Sequence, residues 1–340
     1  MIYRSKAPLR LGLAGGGTDV SPYCDMFGGN ILNATISLYA HASIELTDDN
    51  NITIVATDRG ESVTYDKTNK LPIDGQLDLA KGVYNNLVAT YGEMSSGFKL
   101  TTFVDAPAGS GLGSSSTLMV AILGAFTEWL QLPLGEYDIA HLSYKIEREE
   151  LDMAGGKQDQ YAATFGGVNF MEFYEGNRVI VNPLRIKRRY LFELENNLLL
   201  YFTSTSRLSS TIIEAQTKNV KDKNEKSIEA MHQLKEQAKM MKEALLKGEI
   251  DKIGSILDYG FKFKKQMASG ISNPAIDKIY DTAIKAGATG GKISGAGGGG
   301  FMMFYCPANT RYAVKEALAT FGGEFKNYQF TEHGLYSWSI

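Results

Sequence analysis

One short segment of the chain has the residue types of a phosphate-binding loop. Residues 106–117 read APAGSGLGSSST, with glycines at alternate positions and then serines where an apolar helix begins. Glycine lets backbone N–H groups approach anionic oxygens, and the first turn of a helix offers unpaired N–H donors with a partial positive charge. The serine hydroxyls add donors and a ligand for Mg²⁺. We therefore predict that a nucleoside triphosphate is bound by Gly109, Gly111, Gly113, Ser114, Ser115 and Ser116.

The spacing separates this loop from two common nucleotide-binding motifs. No Gly-Lys-Ser/Thr follows the glycines, as it would in a Walker A loop, and G-x-G-x-G differs from the G-x-G-x-x-G of dinucleotide-binding folds. A helix start rich in glycine and serine is also typical of a simple helix cap. Other parts of the chain must therefore decide between phosphate binding and a structural cap.

A second segment, residues 146–160, combines acidic residues with a glycine turn and reads IEREELDMAGGKQDQ. Acidic residues on a helix usually form a solvated face. We interpret three of them in this way: Glu149, Glu150 and Asp152. Glu147 and Asp159 are different because they stand on either side of the glycine turn, twelve residues apart.

Apolar residues at alternate positions predict strands around these segments, and apolar residues spaced by three and four predict helices. Strands are predicted over residues 3–13, 31–46, 52–57 and 99–105. Helices are predicted over 115–130, 137–151 and 228–245, and from Asn273-Pro274 to about residue 287. The phosphate-binding segment therefore connects a strand to a buried helix.

Length, charge and cysteine content exclude several classes of protein. The chain has 340 residues, enough for about two domains with buried cores. A net charge of −3 provides no positive field for nucleic acid, and no apolar run is long enough to cross a bilayer. Cys24 and Cys306 suggest neither a zinc site nor a disulfide framework. We expect a cytoplasmic monomer or homodimer that acts on a small molecule, without nucleic acid or membrane as partner.

Half of the 36 glycines lie in four short clusters, at residues 12–17, 109–113, 155–167 and 290–300. In regular structure glycine costs about 0.5–1 kcal/mol relative to alanine, so such clusters usually mark backbone that lies against a ligand. The sequence changes from β-rich to helix-rich near 185–195. We therefore predict domains over 1–190 and 191–340, with a ligand site in the cleft between them.

Three strings resemble the motifs of the GHMP kinases, the family of galactokinase, homoserine kinase, mevalonate kinase and phosphomevalonate kinase. Residues 107–116, PAGSGLGSSS, are similar to P-x-x-x-G-L-G-S-S-A, with Ser116 in place of the final alanine. Residues 6–19, KAPLRLGLAGGGTD, resemble the N-terminal A-P-G-R-x-x-L-x-G-E-H-T-D element. Residues 292–300, KISGAGGGG, resemble the C-terminal glycine motif. Together the strings span nearly the whole chain.

The resemblance implies the α+β, two-domain GHMP kinase fold, with the active site in the cleft between the N- and C-terminal domains and ATP with Mg²⁺ bound there. Glu147 and Asp159 have the spacing of the magnesium-binding Glu and the catalytic Asp of galactokinases. Glu147 and Ser115 are then expected to bind Mg²⁺, which prefers oxygen ligands. Asp159 is expected to orient the attacking hydroxyl or to take its proton, with Arg10 beside it.

Departures from the galactokinase pattern predict the substrate. This chain has G-G-G-T-D where galactokinases have G-E-H-T-D, which keeps Asp19 but removes two sugar-binding side chains and disfavours galactose. The strings at 14–36 and 156–167 resemble the bacterial branch that phosphorylates the anomeric C1 hydroxyl of D-glycero-D-manno-heptose 7-phosphate, for the synthesis of nucleotide-activated heptose. Fucose kinases, with G-G-W-S-D, are the alternative. The expected substrate-binding residues are Gly16, Gly17, Thr18, Asp19, Gly297 and Gly298.

A sugar that already carries a phosphate needs a second anion site. Lys157 precedes Asp159 closely, and Arg207 lies in the hydroxyl-rich string TSTSRLSS. A cation flanked by hydroxyls and free N–H groups suits phosphate, so both are predicted to bind the sugar phosphate, although each could also be a surface charge.

Two other functions are compatible with the same family. A noncatalytic sugar sensor would have a damaged magnesium or base position, whereas Arg10, Ser115, Glu147 and Asp159 are all present. An ATP-dependent diphosphate decarboxylase is disfavoured by the strings that resemble the heptose branch.

Overall fold

The first and last strands of the chain belong to one sheet. The computed structural model describes residues 1–205 and 209–340. The strands are β1 (Ile2–Ala14), β2 (Gly29–Thr47), β3 (Asn51–Ala56), β4 (Glu61–Asp66), β5 (Gly97–Val104), β6 (Val168–Phe173), β7 (Val179–Pro183), β8 (Leu198–Phe202), β9 (Gly290–Ile293), β10 (Phe301–Tyr305), β11 (Glu324–Lys326) and β12 (Tyr336–Ser339). The helices are α1 (Tyr23–Phe27), α2 (Asp78–Tyr91), α3 (Ser114–Leu130), α4 (Glu136–Tyr144), α5 (Gln158–Phe165), α6 (Arg188–Asn197), α7 (Ser209–Lys221), α8 (Glu225–Lys247), α9 (Ile253–Met267), α10 (Pro274–Lys285) and α11 (Thr310–Leu318).

The larger sheet has eight strands in the order β12-β1-β2-β5-β3-β4, with β6 and β7 beside the first half of β2. The long strand β2 pairs with β1 along most of its length, with β6 at one end and with β5 at the other. Backbone hydrogen bonds of 3.0 Å in both directions between Ile2 and Ile340 hold the end of the chain against β1. The sheet therefore unites the N-terminal half with the last strand.

The smaller sheet has the order β11-β8-β10-β9 and is antiparallel throughout. Its strands β8 and β10 are continuous apolar runs because successive side chains enter two different cores. Leu198 and Leu200 pack in the same core as the larger sheet, whereas Leu199 and Tyr201 pack in a second core with α10 and α11. One face of the smaller sheet thus closes over the first half of the molecule.

Helix α8 also belongs to the core of the larger sheet. Ala238, Met241 and Leu245 are buried in the same cluster as Leu11 and Leu32 of β1 and β2. The division into residues 1–190 and 191–340 stays a prediction, because the two halves share this core and β12 lies in the larger sheet.

Most of the predicted elements agree with the structure to within a few residues, but one helix differs. The helix predicted over 137–151 ends as an α-helix at Tyr144 and continues as a wider π-helical turn, Lys145–Glu150. In this turn the N–H of Leu151 donates to the carbonyl of Ile146 at 3.0 Å, five residues back. Such turns are frequent at functional sites, and this one carries Glu147.

Strands β4 and β12 were not predicted from the sequence, and both lie at edges of the larger sheet. Each strand is short and none of its residues is fully buried, so the alternation covers only two apolar residues, Val63 and Tyr65 in β4 and Tyr336 and Trp338 in β12. Cys24 and Cys306 are buried and unbonded to each other. Across the described residues, every helix falls short of the length and apolar character that a membrane span requires.

Phe98 offers a test of the core of the larger sheet. It is buried on β5 and its ring meets Phe126 and Trp129 edge-on, with centroids 5.5 and 5.3 Å away. Phe98→Ala is expected to lower the free energy of unfolding by about 3–5 kcal/mol, measured by denaturant titration. Phe103→Ala is the matched control, because Phe103 lies on the opposite face of the same strand and is 43% exposed. Equal losses for the two variants would contradict the assignment of the core face.

Candidate functional site

A cavity of about 710 Å³ lies where the glycine clusters meet. The first half of the chain lines it with the phosphate-binding segment, the glycines after β1, and the turn before α5. The second half contributes residues of α7, α9 and β9, and Gly295 and Ala296. Residues far apart in sequence thus surround one space of the size that small ligands occupy.

The phosphate-binding segment curves around the N-terminus of α3. Gly109, Gly111 and Gly113 all have positive φ, between +73° and +82°. Gly111 touches the second half of the molecule, since a Cβ there would lie 2.6 Å from the carbonyl oxygen of Ser294. The hydroxyl of Ser294 in turn donates to the carbonyl of Gly111 at 2.8 Å. Glycine is therefore required for this close approach of two backbones.

Arg10 and Asp159 form an ion pair beside the phosphate-binding segment. Nε and Nη2 of Arg10 both lie 2.7 Å from Oδ1 of Asp159, and Nη1 donates to the carbonyl of Gly111 at 2.7 Å. The register of β1 against β2 shifts between Pro8 and Arg10, a bulge of the kind that redirects a side chain. Asp159 stands in the first turn of α5, with 19% of its side chain exposed.

Glu147 is buried beside the start of α3. Its Oε1 accepts a hydrogen bond from the hydroxyl of Ser115 at 2.8 Å, and its Oε2 accepts one from Nε2 of Gln160 at 2.7 Å. Both Ser115 and Glu147 line the cavity. A carboxylate and a hydroxyl side by side form a set of hard oxygen donors suited to Mg²⁺. Among the described residues, no group of three or more His, Cys, Asp or Glu side chains is arranged to hold a metal ion.

Arg148 fastens the loop before α5 to the start of α3. Its guanidinium donates to the carbonyls of Met153 and Ala154 at 3.2 and 3.3 Å and to the hydroxyl of Ser116 at 3.0 Å. A Cβ on Gly155 would lie 2.2 Å from its Cζ atom, so glycine leaves room for the side chain. The hydroxyl of Ser116 is thereby directed to Arg148, and it also accepts from Gln160 at 3.2 Å.

Asp19 is buried on the other side of Asp159. Its Oδ2 accepts a hydrogen bond from the backbone N–H of Gln158 at 3.0 Å, and a Cβ on Gly156 would lie 1.9 Å from the same atom. Burial raises the pKa of Asp19, the Gln158 N–H opposes this change, and the charge of Asp159 adds to it. Gln158 also lines the cavity, and its Oε1 is buried without a hydrogen-bond partner among the described residues.

Two lysines from the second half of the chain line the same part of the cavity. Nζ of Lys264, on α9, lies 3.4 Å from the carbonyl oxygen of Gly16. Nζ of Lys292, on β9, donates to the carbonyl of Gly12 at 2.6 Å. Burial lowers the pKa of Lys264 to about 8, with Asp19 opposing the change and Arg10 adding to it. Burial also lowers the pKa of Lys292 well below its usual value, and Lys264 and Arg10 lower it further.

Some predicted substrate residues lie away from the cavity. The Thr18 hydroxyl is buried within a turn, where it donates to the carbonyl oxygens of Gly15 and Asn30. Lys157 is buried against Asp25 and Cys24, with Nζ 3.4 Å from Oδ1 of Asp25. Gly297 and Gly298 pack against the backbone of Ile271. Their side chains and backbones thus already have protein partners, and Arg207 lies outside the described residues.

Four cavity or cavity-adjacent residues were missed by sequence reasoning: Arg148, Gln160, Lys264 and Lys292. Lys264 had a signal, because it continues the buried stripe of Ile253, Leu257 and Phe261 at helical spacing. Lys292 opens the glycine motif KISGAGGGG, but a lysine beside glycines has no distinctive pattern of its own.

Two family models match the chain. The model for the N-terminal domain of GHMP kinases matches residues 78–167, and the model for the GHMP kinase C-terminal region matches residues 241–324. The first match contains the phosphate-binding segment, Glu147 and Asp159. The second contains Lys264 and Lys292.

Individual relatives extend the likeness to the whole chain. A D-glycero-alpha-D-manno-heptose 7-phosphate kinase of Campylobacter jejuni is 48% identical over 99% of this chain and 99% of its own length. A crystal structure of a D-glycero-D-manno-heptose 1-phosphate kinase from Bacteriodes thetaiotaomicron has a TM-score of 0.85 and 46% identity, and 99% of each chain is covered. An L-fucokinase/L-fucose-1-P guanylyltransferase of Bacteroides fragilis is 28% identical over 88% of this chain and 34% of its own length. The chain therefore belongs to the GHMP kinase family and has the two-domain GHMP kinase fold.

Proposed function

We propose that this protein is an ATP-dependent sugar kinase that converts D-glycero-D-manno-heptose 7-phosphate to the 1,7-bisphosphate. The observation that carries the proposal is the Arg10–Asp159 ion pair, which contacts the phosphate-binding segment at Gly111 and lines the same cavity as Gly16 and Asp19. A nucleotide and a sugar hydroxyl bound on the two sides of Asp159 would meet at its carboxylate.

In the proposed reaction the sugar C1 oxygen forms a bond to the γ-phosphorus of ATP. The bond from that phosphorus to the bridging oxygen breaks, and ADP leaves. Asp159 receives the proton of the hydroxyl or orients it. Both short contacts of Arg10 go to Oδ1 of Asp159, so Oδ2 is left for the sugar.

The first turn of α3 supplies the site for the nucleotide phosphates. Gly109, Gly111 and Gly113 present backbone N–H groups without side chains in the way, and the helix N-terminus adds positive potential. Because the carbonyl of Gly111 is held by both Arg10 and Ser294, the loop does not need to rearrange around the ligand. This preorganisation lowers the cost of binding.

Mg²⁺ fits the pair formed by Ser115 and Glu147. The two oxygens already lie 2.8 Å apart, and both line the cavity next to the phosphate-binding segment. When bound, Mg²⁺ would neutralise charge on the nucleotide phosphates. Gln160 and Arg148 hold the Glu147 carboxylate in place for this role.

The heptose is favoured over fucose by similarity along the whole chain. The heptose 7-phosphate kinase is 48% identical over 99% of its length, whereas the bifunctional fucokinase is 28% identical and only 34% of it is covered. The names of the two heptose kinases place the phosphate at different positions, 7 and 1. The substrate experiment must therefore include both sugar phosphates.

The function is tested by ADP release with a panel of acceptors: galactose, fucose, mannose, D-glycero-D-manno-heptose, its 7-phosphate and its 1-phosphate. We expect heptose 7-phosphate to have the highest kcat/KM, and the product to be the 1,7-bisphosphate by mass and phosphorus NMR. Preference for fucose or galactose would overturn the substrate. ATP binding without transfer to any acceptor would favour the noncatalytic sensor.

Removing the charge of Asp159 tests its role at the reacting hydroxyl. Asp159→Asn is expected to lower kcat by at least about 10²-fold, because proton transfer by a positioned group contributes roughly that factor or more. Binding of a nonhydrolysable ATP analogue, measured by calorimetry, is expected to persist. Glu149→Gln is the control, since Glu149 is exposed and pairs only with Asn177 among the described residues. Near-normal turnover of Asp159→Asn would remove Asp159 from the reaction.

Substitution of Gly113 tests whether the position of Asp159 depends on the absence of a side chain at residue 113. A Cβ on Gly113 would lie 3.0 Å from Cγ of Asp159, so Gly113→Ala is expected to displace the carboxylate and to lower kcat by about 10²-fold. Gly176→Ala is the matched control, because Gly176 also has positive φ but nothing lies within 4 Å of its Cβ position. Both variants should lose similar stability, about 1–2 kcal/mol, so only the difference in turnover reports on Asp159.

A further inference from the structure

Two buried lysines, Lys264 and Lys292, have no part in the phosphoryl transfer proposed above. Each is 4% exposed and lines the cavity. A buried ammonium without an anion is costly, because it loses its hydration and gains no opposite charge in return. Within residues 1–205 and 209–340, neither lysine has a carboxylate oxygen within 4.0 Å, and each contacts only a backbone carbonyl through Nζ.

The two ammonium groups converge on one point. A Cβ on Gly16 would lie 3.6 Å from Nζ of Lys264 and 3.8 Å from Nζ of Lys292. An ammonium has three N–H donors. The ammonium groups of Lys264 and Lys292 each have one carbonyl partner in the part of the chain that the structure describes. Donors on both groups therefore remain for a shared ligand beside Gly16.

Seen from the phosphate-binding segment, the point beside Gly16 lies on the far side of the Arg10–Asp159 pair. Arg10 contacts Gly111 on one side, while Lys292 contacts Gly12, which is two residues further along β1. Two residues of extended strand span about 7 Å. The wall thus runs from the nucleotide phosphates, through the position of the reacting hydroxyl, to the two lysines.

The charges of this wall are unbalanced. Arg10, Lys264 and Lys292 carry three formal positive charges, whereas Asp159 and Asp19 carry two negative charges. Burial lowers the pKa of both lysines and raises that of Asp19, because removal from water disfavours the charged form of each group. A phosphate dianion would supply the charge that this wall lacks.

We propose that Lys264 and Lys292 bind the phosphate that the sugar already carries, at the end of the sugar remote from the transferred group. This inference rests on the proposed function, and it assigns to these lysines the role expected of Lys157 and Arg207. Lys157 points instead to Asp25. The pair would make the enzyme select phosphorylated over unphosphorylated sugars.

The test compares heptose 7-phosphate with unphosphorylated heptose in Lys264→Met and Lys292→Met. Loss of one charged hydrogen bond is worth about 1.5–3 kcal/mol, so each variant should lower kcat/KM for the sugar phosphate roughly 10- to 100-fold. The loss in kcat/KM should be larger for the sugar phosphate than for unphosphorylated heptose, and the KM for ATP should change less than the KM for the sugar phosphate. Lys262→Met is the matched control, because Lys262 is on the same helix with 67% of its side chain exposed.

Several outcomes would overturn the proposal. An equal loss for both sugars would make the lysines structural, and a rise mainly in the KM for ATP would place them at the nucleotide phosphates. Folding is checked by the thermal midpoint, and Lys264→Arg serves as a second variant that keeps the charge. Restored selectivity in Lys264→Arg supports the proposal, while its loss to the same degree as in Lys264→Met opposes it.

Calorimetry without ATP separates this inference from the proposed function. Heptose 7-phosphate and inorganic phosphate are titrated separately into the unchanged protein and into Lys264→Met. If the unchanged protein binds phosphate but turns over no sugar phosphate, and Lys264→Met does not bind, the lysine site stands and the proposed function fails. If neither protein binds either ligand, the lysine site is overturned.

Discussion

The site depends on one ion pair that joins three distant segments of the chain. Arg10 reaches Asp159 from β1 and at the same time holds the carbonyl of Gly111 in the phosphate-binding segment. A planar guanidinium can make these contacts at once because its donors are fixed in a fork. Without Arg10, Asp159 would lose the one ion pair that it makes among the described residues. The ion pair therefore fixes Asp159 relative to the phosphate-binding segment.

Much of the site could be predicted from local sequence because its parts are local. The glycines and serines at 109–116, Glu147 and Asp159 stand in short strings where residue type and spacing carry the chemistry, and the structure brings them to one cavity. Lys264 and Arg148 are different, because their importance arises from contacts with residues remote in sequence. Lys157 stands next to the motif, yet its side chain turns to Asp25. Adjacency in sequence does not determine the direction of a side chain.

The same distinction applies to the fold. Buried strands and helices with a clear apolar period, such as β2 and α3, were predicted closely, because burial of one face produces the period. The edge strands β4 and β12 alternate over only two apolar residues each, and the π-helical turn at Lys145–Glu150 departs from the regular helical period. The pairing of β12 with β1, and the core shared by α8 and the larger sheet, depend on long-range contacts that no local pattern encodes.

The pairing of the first strand with the last has a consequence for synthesis on the ribosome. β1 is synthesised long before β12, so the edge that β12 covers stays open until residues 336–339 have been made. An open strand edge can pair with other chains. The residues on this edge of β1 are Tyr3 to Lys6, and the charged side chains of Arg4 and Lys6 limit such pairing in the meantime. The charged residues of β1 therefore protect an edge that its partner strand covers only late in synthesis.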